Sequence, residues 1–376
     1  MTVFDRINDW MFNDALPFWA ERGVDHRGGV VEELTLGGED AAHDYKRTRV
    51  ACRQAYVYAH AKMLGCENAD RVIDHCLKFL RERAWSDAAG GFIKTTDRDG
   101  AALDQTLDLY DHAFALYAFS WGYRATGNET HRQWMERTQD AIETHLAHPS
   151  GLGFCNDSTK KGWRRQNPHM HLLEASLAAI EAGGGARFET LARSLCALFD
   201  EHLFDAERGV LPEIFDDSFQ PADCEEALIV EPGHHFEWTW IIANCQRLLD
   251  VYLWDKARAL SDFGEGYGID RNSGAVFNSV TDKGAPVDGG SRTWPNTERI
   301  KAAIARFEID GDDPSAVIDE SAGLLLDRYL NIEPRGLWID SFDRLGAPLA
   351  QTAPTSTFYH VFLAFAEILR VKDKFV

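Results

Sequence analysis

Basic residues are scarce in this chain of 376 residues: 39 Lys and Arg stand against 60 Asp and Glu, a formal net charge of −21. That field repels phosphate backbones and anionic bilayers, which excludes nucleic-acid and anionic-membrane partners and disfavours polyanionic substrates. No run of 18 apolar residues occurs, so no membrane span is expected. The N-terminal stretch Met1-Thr-Val-Phe-Asp-Arg-Ile-Asn-Asp-Trp-Met carries acids and lacks the unbroken apolar core of a signal peptide. Cysteine is sparse and unpaired in pattern: seven residues, an odd number, with no Cys-x-x-Cys. Reduced thiols in a core, and hence a cytoplasmic protein, are the reading. No linker rich in Pro, Ser or charge interrupts the chain, so one domain over 1–376 is expected.

What is present is periodicity. A glycine that opens a short extended segment recurs at Gly29, Gly91, Gly153, Gly209, Gly274 and Gly336, with spacings of 62, 62, 56, 65 and 62 residues. Each interval holds two stretches of helical period: 45–65 and 68–84, 104–125 and 130–147, 168–184 and 186–204, 234–251 and 252–266, 296–309 and 314–330. The last glycine is followed by 355–371, whose partner is the N-terminal stretch 4–20. Asn68 and Asp313 stand where helix caps belong. Twelve helices in six pairs, closed by the last pairing with the first, predict an all-α (α/α)6 barrel with short β-hairpin inserts. The first helix of each pair would line the inside and the second, more polar on one side, the outside.

The glycines also serve as a ruler. Arg53, His234, Glu298 and His360 lie 24 or 25 residues after their own glycines, and Tyr110, Asn167, His171, Glu237 and Trp294 fall close to the same phase. Equal phase in a ring means roughly equal height, so one mouth of the barrel would gather these residues around a single pit. His234 and Glu237 are three apart and share a helical face. His112 and His169 are read as structural, Arg53 equally well as an ion-pair partner, Tyr110 and Trp294 equally well as core aromatics. A metal site is disfavoured: His169 and His171 point about 200° apart on a helix, and His-Glu-x-x-His is absent.

The segments Arg53-Gln-Ala-Tyr56, Asp108-Leu-Tyr-Asp-His-Ala-Phe114, Asn167-Pro-His-Met-His-Leu-Leu-Glu174, Pro232-Gly-His-His-Phe-Glu-Trp238, Arg292-Thr-Trp-Pro-Asn-Thr-Glu298-Arg-Ile-Lys301 and Phe358-Tyr-His360 touch all six repeats. Together they resemble the N-acylglucosamine 2-epimerase family, which includes mannose isomerases. The resemblance implies the (α/α)6 fold, catalytic histidines at His234 and His360, and a substrate-contacting shell of Arg53, Asn167, His171, Glu237, Trp294 and Glu298. It implies a small-molecule sugar substrate and no metal or other cofactor, and the histidine at 171 favours isomerases of free hexoses. The expected reaction is aldose–ketose isomerisation, mannose to fructose, through a cis-enediolate. In it His360 is the base at C2, His234 assists ring opening, Glu237 orients His234, and Arg53 stabilises the enediolate. A 2-epimerase using the same two histidines is the alternative. A glycoside hydrolase with Glu237 and Glu298 as paired carboxylates is a more remote one. Whether the chain forms a homo-oligomer is left open.

Overall fold

The computed structural model describes residues 2–375. Among them are twelve long helical segments: α1 (3–22), α2 (Thr48–Met63), α3 (69–84), α4 (Leu109–Thr126), α5 (129–146), α6 (Gln166–Glu181), α7 (186–203), α8 (Pro232–Leu249), α9 (Trp254–Tyr267), α10 (Thr293–Asp310), α11 (315–329) and α12 (Phe358–Val371). The even-numbered helices pack side by side in the order α2, α4, α6, α8, α10, α12 and back to α2, which closes an inner ring. Helices α3, α5, α7, α9 and α11 each cover the inner helix that precedes them, and α1 covers α12. The fold is therefore the (α/α)6 barrel, with the first and last helices paired as the sequence predicts.

Local chemistry sets the helix ends. Asp108 caps α4 by accepting from the N–H of Tyr110 and Asp111, and Gly127, with φ of 65°, closes it in the left-handed conformation. Pro232 stands in the first turn of α8, where its missing N–H costs nothing. Asp313 accepts from the N–H of Ser315 as expected of a cap, whereas Asn68 makes no side-chain cap. Inner helices are buried on nearly all sides because they face the barrel axis and an outer helix at once.

The hairpins form a crown. Each strand that leads into an inner helix pairs with the segment that follows the next glycine: Tyr45 with Asp97, Asp108 with Asp157, Arg164 with Phe215, Ile229 with Thr281, Ser291 with Phe342. The sixth pairing, Glu33 with Pro354, joins the first repeat to the last. Residues 104–107, assigned from periodicity to the start of a helix, belong to the strand Ala102–Leu107 of this crown, and α4 begins only at Leu109. Gly91 opens the strand Gly91–Asp97, as the ruler expects, and the left-handed residue of the turn is its neighbour Gly90, with φ of 72°. Gly91 is required for a different reason: a Cβ there would lie 2.7 Å from Nε2 of His112.

Candidate active site

The crown places the N-terminal turns of all six inner helices around one pit of about 350 Å³, at the small end of the range for ligand sites. Arg53, Tyr110, Asn167, His171, His234, Glu237, Trp294 and His360 line it, together with Glu33, Arg47, Glu231, Arg292 and Asp340. Eight of the nine residues that the ruler gathers thus meet in one cavity. Glu298 does not line it; it lies behind His360, fully buried.

Four inner helices share a latch that separates structural from pit-facing histidines. Nε2 of His112 accepts the N–H of Phe92, that of His169 the N–H of Phe154, and that of His235 the N–H of Leu211. In the fifth repeat Oδ1 of Asn296 does the same for Val276. Each latch ties a hairpin, just past its glycine, to the second turn of an inner helix. Burial holds His112, His169 and His235 down to about 4, so they stay neutral acceptors. The pairs His169/His171 and His234/His235 are thereby resolved: one member latches and the other faces the pit.

The two pit-facing histidines on α8 and α12 are held in opposite charge states. Burial opposes a charge on His234, but the carboxylates of Glu213 and Glu231 outweigh it and raise the imidazole to about 9. Its Nδ1 is 2.9 Å from Oε1 of Glu213, so Glu213, and not Glu237, orients this ring. On the other side Nε2 lies 3.1 Å from the side-chain amide of Asn167. In the imidazolium Nε2 donates, and the amide oxygen of Asn167, which otherwise has no partner, is its acceptor once the amide is turned. For His360, burial and then the nearby charges of Arg53 and Lys301 push the imidazole well below its usual value. Its Nδ1 donates to Oε1 of Glu298 at 2.8 Å, which leaves Nε2 as a free base. The indole of Trp294 lies between them, 5.0 Å from the His234 ring and 5.5 Å from the His360 ring. Gly233 permits this: a Cβ there would sit 2.6 Å from the indole.

Arg53 reaches the pit with no carboxylate partner among the described residues. Its guanidinium packs 4.3 Å from the centre of Phe114 and 5.0 Å from that of Tyr359, and it donates to the hydroxyl of Tyr110 at 2.5 Å and to the carbonyl of Ser356 at 3.2 Å. The alternative of a structural ion pair is thus not what the fold builds. His171, kept neutral by burial at about 4, bonds Oε2 of Glu174, whose other oxygen accepts from Tyr359 at 2.5 Å.

Among the described residues three carboxylate–histidine clusters have atoms close enough to hold an ion: His171/Glu174/Glu237, Glu213/Glu231/His234 and Glu237/Glu298/His360. In the last, Lys301 already supplies the cation, 2.5 Å from Glu298 and 3.9 Å from Glu237. In the first two, Nδ1 of the histidine is hydrogen-bonded to a carboxylate of its own cluster. Glu298 is engaged by His360 and Lys301, and that removes it from the carboxylate pair a glycoside hydrolase would need.

Sequence reasoning missed Glu213, Glu174, Tyr359 and Lys301 as members of this site. Glu213 sits four residues after Gly209, in a hairpin, where a ruler applied to helices did not look. Lys301 lies three residues after Glu298 on the same face of α10, a spacing that could have revealed it.

A sugar-sized pit with an aromatic platform, an unpaired arginine and two imidazoles, one charged and one neutral, defines a sugar isomerase or epimerase. The chain belongs to the N-acylglucosamine 2-epimerase (GlcNAc 2-epimerase) family, whose sequence model matches residues 29–364. It is 33% identical over 375 residues to a protein of Rhizobium meliloti named mannose-6-phosphate isomerase, covering 96% of this chain and 95% of that one. Among solved structures, a D-mannose isomerase superposes with a TM-score of 0.86 at 20% identity, covering 98% of this chain and 97% of the other. The cellobiose 2-epimerase of Bacillus thermoamylovorans gives 0.88 at 18% identity, covering 98% of both. Among the described residues no helix is long and apolar enough to cross a membrane.

Proposed function

We propose that the protein is an aldose–ketose isomerase of free hexoses, converting D-mannose to D-fructose without a metal ion. The observation that carries this is the split between a charged His234 and a neutral His360 on either side of Trp294. Two titratable groups driven apart in this way supply one acid and one base at the same pH. The sugar's apolar face rests on Trp294. Ring opening breaks C1–O5: the imidazolium of His234 gives its proton to O5, the neutral imidazole so formed takes up the O1 proton and recovers its charge, and C1 becomes a carbonyl. Nε2 of His360 then takes the proton from C2, giving a cis-enediolate, and returns it to C1, while the O2 proton passes to O1. Arg53, unpaired by any carboxylate, stabilises the charge on the enediolate oxygens. The cation position filled by Lys301 supports a mechanism in which imidazoles do the work.

The charge around the pit supports a neutral sugar over a phosphorylated one. Arg47 is paired with Glu32 at 2.5 Å and Arg292 with Glu231 at 3.0 Å, and the carboxyl groups of Glu33, Glu231, Glu237 and Asp340 also line the cavity. A second reading, 2-epimerisation, is favoured by the placement of an imidazole on each side of Trp294, since returning the proton to the opposite face of C2 takes a second base. NMR of the purified protein with chelator in heavy water decides, using mannose, glucose, cellobiose and mannose 6-phosphate. Deuterated fructose from mannose is the expected result. Glucose formed directly would make the protein an epimerase, and inactivity on every sugar would refute both readings.

The same reading takes 1–376 as one catalytic domain, supported by α1 closing against α12. A cytoplasmic location without nucleic-acid partners is supported by the charge of −21 and the odd cysteine count. Homo-oligomers stay open to a sizing measurement.

A further inference from the structure

Three carboxyl groups, two imidazoles and one ammonium are packed against each other beneath the pit, and their charges do not balance if every acid is ionised. Glu237 on α8 is faced by Glu298 and Lys301 from α10, by His171 and Glu174 from α6 and by His360 from α12. Tyr359 of α12, Tyr110 of α4 and His234 of its own helix add to its surroundings. Glu174 has a partner on each oxygen, His171 and Tyr359. Oε1 of Glu298 accepts from Nδ1 of His360 at 2.8 Å and from the hydroxyl of Thr297 at 3.3 Å, and Oε2 is ion-paired with Nζ of Lys301 at 2.5 Å. Glu237 is 1% exposed, its Oε1 makes no hydrogen bond, and its nearest cation, Lys301, is 3.9 Å away and committed to Glu298.

We propose that Lys301 acts as a positioning residue that keeps Glu298 ionised behind His360, and that Glu237 is consequently a neutral carboxylic acid whose O–H donates to an oxygen of the bound sugar. This rests on the sugar-isomerase reading for its ligand. An unpaired buried carboxylate is unfavourable by several kcal/mol, and protonation removes that cost. The opposite assignment would protonate the acid with two hydrogen bonds and the closer ion pair and leave the charge on the acid that has no hydrogen bond and the more distant one. Burial, with Glu298 next in effect, pushes the Glu237 carboxyl well above its ordinary value. At Lys301 the attraction of its acidic neighbours, Glu298 foremost, outweighs burial and keeps it charged. A carboxylic O–H suits an acceptor that carries no proton, which in this substrate is the ring oxygen before opening or the carbonyl oxygen after it.

The test reads protonation and activity separately. Infrared difference spectra at neutral pH should show the C=O stretch of a buried carboxylic acid, shifted in heavy water and missing from Glu237→Gln. The Gln variant, which keeps a neutral donor, should retain kcat/KM on mannose to within about ten-fold, with Glu237→Ala falling well below it. Absence of the acid band in the native protein, or its persistence in Glu237→Gln, would overturn the assignment. A Gln variant as impaired as the Ala variant would overturn the donor role. If the native protein acts on no sugar, the functional reading falls while the infrared result still decides the charge state of Glu237.

Discussion

Replacing Glu213 with glutamine leaves an oxygen facing Nδ1 of His234 and removes only the charge. The imidazole is raised from 6.5 to about 9 in the native protein, which amounts to about 3 kcal/mol of preference for the charged form. Glu231 shares in this after Glu213, so the variant should lose roughly 1–2 pH units of it and not the whole. The sign for stability follows from a folded value above the unfolded one. The stabilisation is complete below pH 6.5 and fades as pH rises toward 9, so Glu213→Gln should melt lower than the native protein near neutrality and converge with it above pH 9. For activity, the alkaline limb of kcat/KM on mannose should move toward neutral pH, because ring opening needs the imidazolium. Nitrogen NMR of the labelled imidazole gives the same titration without reference to substrate. An unchanged His234 titration in the variant would refute the account, since Glu213 is the largest source of negative charge on this ring and its only carboxylate hydrogen-bond partner among the described residues.

Other outcomes follow from the same geometry. His360→Asn should abolish exchange of the C2 proton with solvent, read by NMR, and residual exchange would remove His360 from the role of base. Arg53→Lys should lower kcat by ten-fold or more with a smaller effect on KM, because an ammonium cannot both rest on Phe114 and Tyr359 and reach the Tyr110 hydroxyl as the planar guanidinium does. His169→Asn should preserve the melting temperature better than His169→Ala, since Asn296 already performs the latch in another repeat; the Ala variant should lose about 1–3 kcal/mol by orphaning the Phe154 N–H. Equal melting of the two would show that the latch contributes nothing. Acid should weaken the fold as pH falls from 6.5 toward 4, where His112, His169 and His235 must charge, and the Asn variant should blunt that slope.

The order in which features became legible has a physical basis. A helix pair repeats because each inner helix must bury one face on the axis and the other on its cover, so hydrophobic period and glycine spacing carry the architecture into one dimension. Residues at one phase then share one height, which is why Arg53, His234 and His360 could be set around a common pit from their numbers alone. The boundary of α4 was not legible in the same way. Residues 104–107 read as the start of a helix, yet their backbone belongs to a strand that pairs with Gly91–Asp97. The charge states were not legible either. Glu237 sits three residues from His234 and suggests itself as its partner, but the side chain points to Lys301 and the Glu298 face while the Gly209 hairpin delivers Glu213 instead.

By itself, then, the sequence determined the six-fold count, the identity of the inner helices and the ring of polar side chains at one mouth, because all three depend on spacing along the chain. The tertiary structure decided which histidine latches and which faces the pit, which carboxylate stands behind each imidazole, and where the buried Lys301 places its charge. Those are properties of contacts between repeats, where burial strips the solvent and a few tenths of an ångström select the partner, and no spacing within a repeat records them.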